Sequence, residues 1–309
     1  MLVDAPQRVP DGARAPVGDR RADALDLSLQ GRVDDNRGGG WRAARCLRLI
    51  GHAQTRLPRL GGNASILSFA EQAMHESEKT LGIIGGAGVG AAAALYVEVA
   101  ARYRAVAAAL PQIVIWNLPL SDELERSFLG AGADPAAVAA AAALVAQGAQ
   151  RLVDAGASVV AMPCNSLQRV AARESERVGL PFIDMIAATV DAAAGLGHRE
   201  AVLLATSTTY AFGHYDGYGI DMIEPPAAER SALASLIARL AQGPPPSAAE
   251  LLELIDRVRR PHAAVVLGCT DICGLVAPAD APGVVESLGC LADACVQALL
   301  APTPAASAV

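Results

Sequence analysis

The chain has 309 residues, 52% of them hydrophobic and only 4% aromatic, with a formal net charge of −7. That length holds one large or two ordinary domains with cores of their own, and the negative balance speaks against a nucleic-acid partner, which needs clustered Lys and Arg. Six cysteines are too sparse for a disulfide framework in so long a chain, so a reduced, cytoplasmic setting is expected.

Residues 1–77 read as a disordered N-terminal extension. The run DGARAPVGDRRADALDLSLQGRVDDNRGGGWRAARC is rich in Arg, Gly and Asp and keeps neither a strand nor a helix period. It lacks the apolar core of a secretory signal and carries too many acids for a transit peptide. Met74 stands just before the first convincing strand, so what precedes it reads either as an extension or as upstream sequence wrongly included.

From Leu81 onward strands and helices alternate, the pattern of a parallel sheet. LGII (Leu81–Ile84) predicts a strand, and a Gly-rich turn leads into an alanine-rich helix around Ala91–Leu110. IVIW (Ile113–Trp116) is the second strand, and Asp134-Pro135 opens another helix with Asp at the N-cap and Pro at the first helical position. SVVAM is the third strand and SLQRVAARESERV the helix after it. PFIDMI begins a connection into a second set, in which AVLLAT and GIDMI are strands separated by a loop. Helices over Ala228–Ala241 and Ala248–Arg259 are split by the breaker GPPPS; AVVLG and VVES close the set. The last helix, Leu288–Leu300, is expected to return to the first domain.

The expected fold is α/β: two similar three-layer domains with mainly parallel sheets and an active site in the cleft between them. Residues 78–186 with 288–302 make the first domain, 187–287 the second, and 303–309 a flexible tail. No apolar run is expected to cross a membrane, because Arg, Glu, Gln and Asp interrupt the alanine-rich stretches.

Two segments carry the chemistry. VVAMPCNS (Val159–Ser166) and AVVLGCTD (Ala264–Asp271) each run apolar through a strand and stop at a cysteine, Cys164 or Cys269. In a parallel sheet, ligands bind outside the carboxyl ends of strands, where both thiols are placed. A helix start after Cys164 offers free N–H groups that would lower the thiol pKa and could bind a carboxylate. A free cysteine often only packs, and Cys46, Cys290 and Cys295 are read that way. Two in parallel settings argue for a pair with a task, and Asn165, Ser166, Thr270 and Asp271 set short polar groups beside them.

Other chemistries fit less well. Gly86-x-Gly88-x-x-Ala91 is a dinucleotide fingerprint in miniature, but the second strand ends at Asn117 where a ribose would want an acid, so these glycines read as a turn lining the cleft. Cys269 and Cys273, with His262 upstream, do not match zinc spacings, and no metal is expected. The single lysine, Lys79, precedes the first strand and so lies at the edge of the sheet opposite the cysteines, which leaves a pyridoxal phosphate Schiff base nearly without a lysine. No cofactor is expected. His214 reads as a solvated loop histidine, and Tyr215 and Tyr218 as loop packing.

GIIGGAG, PCNS and GCTD resemble the aspartate/glutamate racemase superfamily in its aspartate-racemase branch, as do ATSTTYAFGHY (Ala205–Tyr215) and LPFIDMIAATVDAA; the likeness covers about residues 80–300. The resemblance implies a cofactor-independent two-base racemase in which Cys164 and Cys269 exchange the roles of thiolate base and thiol acid. It assigns Asn165, Ser166, Thr208, Thr209, Thr270 and Gly86 to the substrate and Asp271 to tuning Cys269, and homodimers are common in the family. Gln168 stands where the branch has a histidine, Thr208 where it has a glycine and Phe212 where it has a serine. In NLPLSDELE, alignment from Asn117 sets Glu123 where the branch has an arginine for the substrate's second carboxylate, which points toward a neutral or basic amino acid. The alternatives are a maleate-isomerase-like or hydantoin-racemase-like enzyme and a non-catalytic amino-acid-binding protein; arylmalonate decarboxylases, which use one cysteine, fit less well.

Overall fold

The computed structural model describes residues 79–129, 134–242 and 246–302. The extension read over 1–77, Cys46 and the tail at 303–309 lie outside these described residues.

The first half is built on a three-stranded parallel sheet in the order β2-β1-β3, from β1 (Thr80–Gly85), β2 (Gln112–Asn117) and β3 (Val159–Ala161). The central strand TLGIIG is buried from Leu81 onward, as a strand covered on both faces must be. Val160 pairs with Phe182 beyond β3, so the PFIDMI connection adds a short fourth rung to this sheet. Helix α1 (Val89–Ala107) follows β1; α2 (Asp122–Leu129) and α3 (Pro135–Asp154) follow β2; α4 (Gln168–Arg177) follows β3.

Helix α3 starts as its sequence predicts, with the Asp134 carboxylate accepting from Ala136 N and Pro at the first turn. Contrary to the sequence expectation, it is long and apolar enough to cross a membrane by length and composition. One stripe, Ala141, Val145, Ala149 and Leu152, packs into a core with Ile84, Leu118 and Val160. Gly148 is part of that fit: an added Cβ would sit 2.8 Å from Leu118 and 3.1 Å from Trp116.

Helix α5 (Met185–Gly195), capped by the Asp184 carboxylate at Ile186 N and Ala187 N, leads to the second half. There a four-stranded parallel sheet runs β5-β4-β6-β7, from β4 (Glu200–Ala205), β5 (Asp221–Ile223), β6 (Ala263–Gly268) and β7 (Val284–Glu286). Its helices are the short α6 (Ser207–Ala211), α7 (Ala227–Gln242) and α8 (Ala248–Val258). Ser247 and Glu250 close a reciprocal capping box at the start of α8.

The last helix, α9 (Ser287–Leu300), returns as expected but packs on α1 of the first half and on α5 alike. Arg102 fixes it by donating to Gly289 O and pairing with Asp293. Lys79, just before β1, donates to Ala298 O near its far end.

Candidate active site

The carboxyl ends of β1, β3, β4 and β6 face a single cavity of about 30 Å³, room for roughly two waters. Its wall contains Ala87 and Gly88 from the turn after β1, Leu120 and Glu125 after β2, Cys164–Leu167 after β3, Thr206 after β4 and Gly268–Asp271 after β6. Both cysteines singled out from the sequence therefore line one space.

The backbone explains why each thiol sits there. After β3 the chain leaves the sheet at Pro163, and Cys164 caps a 3₁₀ turn over Asn165–Leu167 with extended backbone, φ −149° and ψ 110°. N–H groups of Ser166 and Leu167 lie beside its sulfur and favour the thiolate. Burial prevails over them. It pushes the Cys164 thiol up to about 12, and the carboxylates of Asp271 and Glu125 add to the shift. Cys269, itself buried, is pushed well up by burial, by the neighbouring Asp271 carboxylate, and by Cys273 and Cys164. The sequence expectation of a lowered thiol pKa is thus reversed: in the unliganded cavity both sulfurs are protonated at neutral pH.

Groups from the second half grip the Cys164 turn. Thr270 Oγ1 donates to Pro163 O at 3.0 Å. Tyr215 Oη donates to Asn165 Oδ1 at 2.7 Å, and Asn165 Nδ2 donates to Ser287 Oγ at 3.0 Å. Ser166 Oγ shares hydrogen bonds with Thr206 Oγ1 at 2.8 Å and Thr209 Oγ1 at 3.4 Å. His214 Nε2 lies 3.0 Å from Ser166 O. The side chains of Asn165 and Ser166 are therefore already oriented by the protein. Asn165 keeps one amide N–H, and Thr270 keeps its lone pairs, for a ligand.

The other sequence-selected residues divide. Thr208 and Thr209 are buried but lie behind the wall; Thr206, the N-cap of α6, is the cavity-lining threonine the sequence reading missed. Gly86 serves the backbone: its φ is 106°, and an added Cβ would stand 2.5 Å from Leu118 O. Glu123 does not line the cavity; it is exposed, and its backbone carbonyl accepts from Ser127 Oγ. The acid that does line it is Glu125, whose Oε1 accepts from Gly88 N at 3.2 Å. Asp271 approaches the same glycine, since a Cβ on Gly88 would meet its Oδ1 at 3.0 Å. The dinucleotide-like turn thus already holds a carboxylate of the chain itself.

His214 is buried rather than solvated, and burial lowers its pKa, with Arg169 adding to the effect. Gln168 bridges the Cys164 turn to α5, donating to Met162 O and Cys164 O and accepting from Met185 N. Tyr215 packs, as expected, and also positions Asn165; Tyr218 donates to Asp184. The Cys273 thiol points at backbone carbonyls of Cys269 and Leu267, and among the described residues no three His, Cys, Asp or Glu converge as a metal site would require. Tyr215→Phe removes the donor to a buried amide oxygen. It should destabilise the fold by about 1–3 kcal/mol, seen as a melting point lower by several degrees in thermal denaturation.

The family profile of Asp/Glu/hydantoin racemases matches residues 84–299. Among solved structures, a candidate Asp/Glu racemase from Yersinia pestis is 24% identical with a TM-score of 0.62, the match covering 72% of this chain and 100% of that one. An aspartate racemase homologue from Pyrococcus horikoshii is 22% identical at a TM-score of 0.60, over 72% and 99% of the two chains. The Picrophilus torridus aspartate racemase is 21% identical at 0.54, over 72% and 94%. At these identities the three structures speak for the shared two-sheet fold.

Proposed function

Because the chain belongs to the Asp/Glu/hydantoin racemase family, we propose that it is a cofactor-independent amino-acid racemase working through Cys164 and Cys269. The observation that carries this reading is the presence of both thiols on the wall of one cavity, each at the carboxyl end of an equivalent strand in its own half.

The chemistry follows from that pairing. One sulfur, as thiolate, takes the α-proton: the Cα–H bond breaks, an S–H bond forms, and the electron pair delocalises into the α-carboxylate. The opposite thiol then gives its proton to the other face of Cα and becomes the thiolate. The net result is inversion, with protein and substrate carrying the same total number of protons before and after. The free N–H of Asn165 and the N–H groups at the head of the 165–167 turn suit the carboxylate, and the lone pairs of Thr270 suit the ammonium. Burial serves the base as well: a thiol held near 12 gives a more basic thiolate than an exposed one, better matched to a weak carbon acid. The ammonium of an arriving amino acid offsets the cost of ionising a sulfur in this setting.

The test is isotope wash-in. Incubated in heavy water with single enantiomers, the protein should place deuterium at Cα at a rate that tracks the loss of optical rotation. Chemical conversion without wash-in would identify an isomerase, and binding with neither would identify an amino-acid-binding protein.

A further inference from the structure

Among the described residues, the cavity wall carries two carboxylates, Glu125 and Asp271, and no Lys, Arg or His. Both carboxylates meet at Gly88, one as its hydrogen-bond acceptor and one in contact with its Cα face. Resting on the racemase reading, we propose that Glu125 is a specificity-determining residue and that the substrate is an amino acid with a cationic side chain, ammonium or guanidinium.

The charges decide it. During turnover Glu125, one thiolate and the substrate's α-carboxylate put three negative groups into a space walled by Leu120, Leu167, Ala87 and the glycines. The α-ammonium balances one of them. A side-chain carboxylate would add a fourth anion, next to an N–H that already serves Glu125. A side-chain cation removes one charge and can meet Glu125, whose Oε2 faces no partner among the hydrogen bonds of the described residues. Glu125 is half-buried, so its carboxylate is reachable from solvent as well as from the thiols. Helix α2 fixes its direction: Glu125 N donates to Ser121 O in the first turn, and Leu124 packs beside it into the core of the first half. A cation held there would also favour the thiolate of Cys164, which Glu125 otherwise disfavours.

Arginine and citrulline separate charge from shape, since they differ only at the head group. Wild-type protein should bind L-arginine in calorimetry, and exchange its α-proton in heavy water, at least roughly tenfold better than L-citrulline, the worth of a charge-assisted hydrogen bond. L-glutamate should be poorer than both. Glu125→Gln should bring arginine down to the level of citrulline while leaving citrulline itself within about twofold, a split that general loss of structure would not produce. Citrulline matching arginine in the wild type, glutamate exceeding either, or no binding by any of the three would each overturn the assignment. Charge-selective binding without proton exchange would leave Glu125 as the selector and remove the racemase reading; exchange without charge selection would do the opposite.

Discussion

Cys164→Ser and Cys269→Ser should each stop net inversion, lowering racemisation by roughly 10²–10⁴-fold, the usual worth of a positioned acid–base group. Serine fills nearly the same space but is far less acidic, so it neither forms the required base nor delivers a proton in time. The two variants are expected to fail differently. With Cys269 replaced, Cys164 can still remove and return a proton on its own face, so deuterium enters one enantiomer with retention. With Cys164 replaced, the other enantiomer alone should exchange. This mirror-image behaviour, read by deuterium content of each starting enantiomer, requires two bases on opposite faces. A variant that keeps full inversion would show that its thiol is not needed.

The second large effect concerns pH. Burial and the Asp271 carboxylate hold both thiols above their ordinary range, Cys164 at about 12. The ionised fraction of such a thiol grows tenfold for each pH unit as long as the pH stays below its pKa. Because the free protein must lose one of these protons before it can act as a base, kcat/KM should climb by up to about tenfold per unit between roughly pH 6 and pH 9. The direction is fixed: raised acid pKa, less thiolate at low pH, lower rate at low pH. Asp271→Asn removes a carboxylate that disfavours both thiolates, so ultraviolet thiolate absorbance should appear at lower pH and the rate profile should shift the same way. A profile already flat through neutral pH would mean that a sulfur is ionised at rest, against the upward shift of both thiols.

Much of this was legible in the sequence, for reasons that can be named. LGII, SVVAM, AVLLAT and AVVLG are short apolar runs bounded by turn residues, and strands covered on both faces allow little else. Strand ends then located both cysteines. The failures have physical causes too. DELERSFL is a two-turn helix with few apolar residues, and an alignment counted from Asn117 landed on Glu123. On a helix, residues two apart point about 200° away from each other, so Glu125 faces the cavity while Glu123 faces solvent. Which of Thr206, Thr208 and Thr209 reaches the wall depends on where α6 begins, and Thr206 reaches it because it is the N-cap. The thiol shift could not be read locally: the N–H groups that lower it are neighbours in sequence, whereas burial and the Asp271 and Glu125 carboxylates that raise it come from tertiary packing.

Helix α9 closes the core that α1 opens: Leu95, Val99 and Tyr103 share one cluster with Leu288, Leu291, Cys295 and Leu299. A ribosome delivers these partners nearly two hundred residues apart. Until the final helix emerges, the nascent chain holds an uncovered apolar surface on its first sheet, and long-range closure of this kind is slow and open to aggregation meanwhile. Loss of the last fifteen or so described residues would therefore damage the first sheet and its helix α1 as much as the end of the chain.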